Sequence, residues 1–102
     1  MTAREALRMA TRGGAGILGR DDIGVLASGM AADIIGYDMS SIAYAGAQSD
    51  PLGALLFCQP QDVSIAIVNG RVLVEDGQLR TADKEALVAR HNALSQDLLC
   101  LA

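Results

Sequence analysis

Asn69-Gly70 stands between two β-rich runs, residues 63–68 (Val-Ser-Ile-Ala-Ile-Val) and 71–75 (Arg-Val-Leu-Val-Glu). Asn-Gly suits a two-residue turn in which both central residues take positive φ, and that turn twists as its flanking strands do. The spacing therefore predicts an antiparallel hairpin and rules out an all-helical chain. Asp76-Gly77 predicts a second turn, with Gln78-Leu79 as a short final strand. Residues 32–38 (ADIIGYD) read as a further strand with Ile34, Ile35 and Tyr37 inside it. Gly36 in its middle implies a bulge or a close backbone approach.

Helices flank this β segment. Thr2-Ala3-Arg4-Glu5 has the spacing of a capping box, so a helix is expected over residues 1–11. Gly13-Gly14 is expected to end it, because glycine tolerates the left-handed conformation of a C-terminal cap. A short second turn over residues 15–18 should stop at Gly19. Asp50-Pro51 predicts a helix start, with Pro51 at the first helical position, Leu52, Leu55, Leu56 and Phe57 on its apolar face, and Pro60 as its end. Asp83 should cap a long helix over residues 84–101, with Leu87, Leu94, Leu98 and Leu101 along one stripe. Residues 39–50, rich in Ser, Ala and Gly, read as a loop. So long a structureless stretch is uncommon in a small domain and makes sense against another surface.

The length of 102 residues allows one domain. At 51% hydrophobic the chain is too apolar for disorder, and its net charge of -4 opposes binding to a phosphate backbone. Tyr37, Tyr44 and Phe57 are too scattered to make a base-stacking platform. No apolar run approaches the ~20 residues of a membrane span, and the N-terminus has no secretory pattern. Cys58 and Cys100 lie far apart, without a CxxC, which fits a reduced cytoplasmic protein.

The chemical inventory is sparse. His91 is the single histidine, so a multi-histidine metal site cannot be built, and it reads as a partly buried helix residue. Cys58 and Cys100 have no basic cluster beside them to lower their pKa and read as apolar filler. Asp21-Asp22 and Glu75-Asp76 are adjacent pairs, which point to opposite faces of a strand and make no acid–base dyad. The glycine-rich run from Gly13 to Gly19 lacks a following Lys-Ser or Lys-Thr and is preceded by a helix, so it fails as a phosphate loop.

One constellation is more specific than any of these. Thr2, Glu5-Ala6-Leu7, Met9-Ala10-Thr11 and Gly13-Gly14-Ala15 are followed by Leu18-Gly19, Asp22-Ile23-Gly24, Leu26, Gly29 and Ala32-Asp33-Ile34. Then come Asp50-Pro51 and Val68-Asn69-Gly70-Arg71, Val74 and Gly77. This pattern resembles the C-terminal segment of the amidohydrolase superfamily, in its deaminase and chlorohydrolase branch. Ala43-Tyr44-Ala45-Gly46-Ala47 and Ala89-Arg90-His91-Asn92-Ala93-Leu94 are most similar to the 8-oxoguanine deaminases. The resemblance extends over nearly the whole chain.

It implies a metal-bearing β/α barrel followed by a small β-sandwich assembled from both chain ends. Residues 1–19 would be the remnant of the last barrel helix with a glycine-rich turn. Residues 20–80 would be part of the sandwich, and residues 81–102 a terminal helix packed back on the protein. The family's zinc or iron is held by a His-x-His pair, two further histidines and an aspartate, all expected upstream of Met1. None carries over to a position here: Asp21, Asp22 and Asp33 do not match the metal aspartate. Met30 replaces the usual Lys or Asn of an exposed turn. No catalytic, cofactor-binding or metal-ligating residue is therefore expected in the chain.

The expected fold is α+β: a small, mostly antiparallel sheet, the C-terminal half of the composite sandwich, between an N-terminal helix and a long C-terminal helix. The expected function is that of the C-terminal part of a metal-dependent deaminase of a purine-like or related heterocycle, inactive alone. The alternative is a stand-alone interaction or oligomerisation module, favoured if residues 39–49 pack on the chain's own sheet or on a second copy, whereas disorder there favours the fragment. Expected partners are a second copy of the chain, forming a dimer, and the barrel domain, with neither nucleic acid nor membrane.

Overall fold

The computed structural model describes residues 1–58 and 62–101. Helix α1 (Ala3–Arg8) starts at the expected capping box: Thr2 Oγ1 accepts from the Glu5 N–H at 3.2 Å, and Glu5 Oε2 accepts from the Thr2 N–H at 2.7 Å. The helix does not stop at Gly13-Gly14. It widens into one π-helical turn over Met9–Gly13 and continues as α2 (Gly14–Ile17), with Gly14 at φ -59°. Glycine permits the left-handed conformation without imposing it, and here the cap falls five residues later. Gly19 takes φ +65°, its N–H bonds to the Gly16 carbonyl, and the Arg20 N–H bonds to the Ala15 carbonyl. Those two bonds close a Schellman motif. The extension places Ala15 in the core, where it is 6% exposed.

Strand β1 (Ile34–Gly36) is shorter than the sequence implied and forms one edge of a four-stranded antiparallel sheet in the order β1-β2-β3-β4. Strands β2 (Ile65–Val68) and β3 (Arg71–Glu75) form the expected hairpin, with Asn69 at φ 48° and Gly70 at φ 78°. Asp76 at φ 51° and Gly77 at φ 72° make the second turn into β4 (Gln78–Leu79). The irregularity in this sheet lies between β2 and β3, where Ala66 pairs with Val74 and Ile67 with Val72, leaving Leu73 as the extra residue. Of the two readings of Gly36, close approach is the one found: a Cβ there would stand 2.7 Å from Ile65 Cγ2.

Residues 39–50 are not structureless. Ser41 caps a 3-10 turn over Ile42–Tyr44, Asp38 Oδ1 accepts from the Ser40 N–H and hydroxyl, and Gln48 Nε2 reaches the Met39 carbonyl. Tyr44, at 1% exposed, is the one large side chain fully buried among the described residues. It lines one cavity with Leu7, Tyr37, Leu55 and Leu56, which lies between the loop, α1 and α3 (Pro51–Phe57). Helix α3 begins as expected, with Asp50 Oδ1 accepting from the Gly53 N–H at 3.0 Å. Pro60, its expected terminator, lies outside the described residues; the helix already ends at Phe57, with Cys58 extended.

The core sits between α1–α2, the 39–50 loop and α3, and its buried members are Ala15, Tyr44 and Ala54. Helix α4 (Lys84–Cys100) is capped by Asp83, whose Oδ1 accepts from the Ala86 N–H. It packs on no described part of the chain, and all its residues are exposed. The radius of gyration, 17.6 Å, reflects this against about 13 Å for a closely packed domain of ~100 residues.

Two glycines separate turn strain from packing strain. Gly70 has open space around it, so Gly70→Val strains only the backbone and is expected to cost on the order of 1–2 kcal/mol. Gly24, at φ +84°, lies against the helix: a Cβ there would meet the Thr11 carbonyl oxygen at 2.8 Å and Ala15 Cβ at 3.1 Å. Gly24→Ala combines both strains and is expected to cost about 2–4 kcal/mol despite its smaller side chain. Urea melts of the two variants check this; an unchanged midpoint for Gly70→Val counts against the hairpin register.

Candidate functional site

The residues with chemical potential are dispersed. His91 is exposed on α4, not partly buried, with Leu87 and Leu94 as its neighbours one turn away. Cys58 is half-buried at the end of α3, Cys100 is exposed at the end of α4, and both are free thiols. Glu75 ends β3 and receives Arg80 Nη2 at 2.6 Å, while Asp76 forms the turn. The glycine-rich run is a helix and its cap, with no loop to cradle an anion. Met30 lies half-buried next to the turn at Gly29.

Asp22 is the most organised carboxylate. Arg20 donates to it twice, Nε to Oδ1 at 2.8 Å and Nη2 to Oδ2 at 2.6 Å. These hydrogen bonds, more than the charge alone, hold the Asp22 carboxyl below the usual aspartate range. The Asp22 carbonyl also accepts from the Ala31 N–H at 2.7 Å, which closes the loop that carries Gly24 to the helix. Asp33 accepts from the Asn69 N–H at 2.7 Å and ties β1 to the hairpin turn. Asp33 belongs to the motif that carries the family resemblance, but its partner is 36 residues away, so spacing alone does not show the bond it makes. Among the described residues, no three or more of His, Cys, Asp and Glu converge as a metal would require.

One concave surface is mostly apolar. A groove of about 300 Å3 runs between α1, the loop at residues 24–26, β1 and α3. Leu7, Val25, Leu26, Ile35 and Leu55 dominate it, with Thr11 and Asp33 at its margins. The Thr11 hydroxyl already donates to the Leu7 carbonyl at 2.9 Å. Such a surface can cover another apolar surface; it offers no convergent acid, base or nucleophile.

A family model described as the amidohydrolase family matches residues 1–73. The chain belongs to the amidohydrolase family. Among its curated amidohydrolase relatives, 8-oxoguanine deaminase of Pseudomonas aeruginosa is 40% identical over 97% of this chain and 22% of its own length. Hydroxydechloroatrazine ethylaminohydrolase of a Pseudomonas species is 43% identical over 79% of this chain and 17% of its own. Of solved structures, zinc-complexed atrazine chlorohydrolase from Arthrobacter aurescens superposes with a TM-score of 0.82 at 46% identity, over 91% of this chain and 20% of that one. An adenosine deaminase from Xanthomonas campestris with bound zinc gives 0.87 at 28% identity, over 97% and 23%. The chain thus spans about a fifth of the length of the amidohydrolases it matches. The α+β expectation stands: these superpositions place the antiparallel sheet and its flanking helices within that family's fold.

The Arg20–Asp22 pair gives this amidohydrolase segment a defined acid response. Because the folded-state pKa of Asp22 is depressed, its contribution is complete above the ordinary aspartate pKa and is lost as pH falls through the folded value. A carbon-detected NMR titration should find Asp22 below the ordinary range and should move it upward in Arg20→Gln. An unmoved Asp22 in that variant contradicts the pairing.

Proposed function

We propose that this chain is the C-terminal part of a metal-dependent hydrolytic deaminase of a purine-like or related heterocycle, resembling 8-oxoguanine deaminase. In that reading it supplies half of a composite β-sandwich and the helices that brace a barrel. The catalytic and metal-binding residues belong to the barrel, and the assembly is cytoplasmic, with Cys58 and Cys100 reduced. The observation that carries the reading is the 40% identity to an 8-oxoguanine deaminase over 97% of this chain. The exposed apolar groove beside β1 supports it, since such a surface suits a scaffold that faces a larger body. In the described residues, no chemistry of deamination is assigned to this chain itself.

A second reading, a stand-alone non-catalytic interaction module, draws on the 39–50 loop. Tyr44 is buried against the chain's own helices, and that packing does not require a barrel.

The purified chain is expected to release no ammonia from 8-oxoguanine, guanine or cytosine and to hold no stoichiometric zinc or iron by elemental analysis. Turnover with bound metal overturns the assignment of chemistry to the barrel. DNA upstream of the Met1 codon distinguishes the two readings. An in-frame segment with a His-x-His pair favours the enzyme part, and a stop codon directly upstream favours the module.

A further inference from the structure

Asn69-Gly70 shapes the hairpin turn, and it is also the one asparagine–glycine step in the chain. Such a step is open to a reaction of its own side chain. The Gly70 nitrogen gives up its proton and bonds to Asn69 Cγ. The bond from Cγ to the side-chain nitrogen breaks, and that nitrogen takes up a proton and leaves as ammonia. A cyclic imide remains. Water then breaks the bond from the Gly70 nitrogen to Cγ, giving aspartate, or its bond to the main-chain carbonyl carbon, giving isoaspartate. Water is the only co-reactant. Glycine suits the attack because no side chain shields its nitrogen, and nothing stands within 4 Å of where a Gly70 Cβ would be.

We infer that Asn69 is a deamidation site held in check by the segment that leads into β1. The Gly70 N–H, whose proton has to leave, is donated to the Ala32 carbonyl at 3.1 Å. The Asn69 N–H is donated to Asp33 Oδ1 at 2.7 Å. Together they grip the turn on both sides of Asn69, which is held at φ 48°. Closing the imide requires rotation about the Asn69 Cα–C bond, and that rotation carries the Gly70 N–H away from Ala32. Both acceptors belong to this chain, so the check operates whatever further polypeptide surrounds the sheet, and it does not depend on the deaminase reading. The reaction runs one way. Isoaspartate adds a methylene to the main chain inside the turn, and either product places a new negative charge on the residue whose N–H Asp33 holds. The three-residue strand β1 then loses the tie at its entry. Asn92 is the chain's other asparagine and serves as an internal control. It precedes Ala93 inside α4, where the following residue has a Cβ and the backbone is fixed in the helix.

Peptide mapping by mass spectrometry follows the exchange of the side-chain NH2 for OH at Asn69 and Asn92 while the 102-residue chain is held in mildly alkaline buffer. The same chain unfolded in urea gives the rate without the two hydrogen bonds. Asn69 is expected to convert at least about tenfold more slowly in buffer than in urea, since the reaction waits for the turn to open. Asn92 should convert more slowly than Asn69 in urea. Asp33→Ala should raise the Asn69 rate in buffer about tenfold and leave the rate in urea unchanged, because it removes a hydrogen bond to a charged acceptor. Asp33→Asn, whose amide oxygen still accepts, should raise it less. Deuterium exchange at the Gly70 N–H should quicken in step with the Asn69 rate. Equal Asn69 rates in buffer and in urea overturn the inference, and this wild-type comparison decides even if Asp33→Ala fails to fold. A folded Asp33→Ala with an unchanged rate overturns it as well. So does one that converts more slowly, which would make Asp33 a base that promotes the reaction.

Discussion

Two hydrogen bonds at the tip of the hairpin organise the β layer. The Asn69 N–H donates to the Asp33 carboxylate, and the Gly70 N–H donates to the Ala32 carbonyl. The turn would otherwise present both donors to water. By capturing them, residues 32–33 fix where β1 enters the sheet and hence its register, with Ile34 opposite Ile67 and Gly36 opposite Ile65. At the far end of β1 the Gly36 carbonyl accepts from both the Ser64 N–H and its hydroxyl. A three-residue edge strand is thus held at both ends, which offsets how little it can gain from its own ladder. Ile35 points out of that sheet into the groove beside α1, so the register also sets the surface that the segment presents.

The helical side depends on a different contact. Gly24 rests against the Thr11 carbonyl and Ala15, so the loop that leads to β1 lies directly on the α1–α2 helix. This approach needs the helix to persist beyond Gly13-Gly14 and needs a residue without a Cβ at Gly24. Tyr44 then closes the other side, between the helices and the sheet. Few residues are buried as a result, and much leucine and isoleucine stays exposed, on α4 above all. In this amidohydrolase segment, which spans about a fifth of its relatives' length, caps and turns define the local structure and the larger apolar faces are directed outward.

Where the physics was local, the residues announced it. The Thr2–Glu5 box, the Asp50 and Asp83 caps and the Asn69-Gly70 and Asp76-Gly77 turns each appear at the expected position. Each involves a side chain and a backbone group within a few residues, so composition and spacing suffice. The expectations that shifted were those that depended on distant neighbours. Gly13-Gly14 could end a helix or continue it; it continues, and Ala15 then lies against Gly24. Residues 39–50 carry small polar side chains typical of a loop, yet Tyr44 among them becomes the deepest residue because α1 and α3 leave a place for its ring. The site reading was legible in a limited sense. The sequence supplies the residue types, one histidine and scattered carboxylates, while their placement belongs to the fold: among the described residues no three of His, Cys, Asp and Glu stand together.

The sequence by itself determined the hairpin turns, the N-terminal caps of the helices at Thr2, Asp50 and Asp83, and the family to which the chain belongs. All of these follow from short-range preferences or from the identity of residues in a row. Only the tertiary structure decided the role of Asp33, the depth of Tyr44, the persistence of the first helix and the exposure of the last one. Those outcomes rest on contacts between residues far apart in the chain. Asp33 reaches Asn69 only after β1 has paired with β2, and α4 is left bare because no described face of this chain covers it.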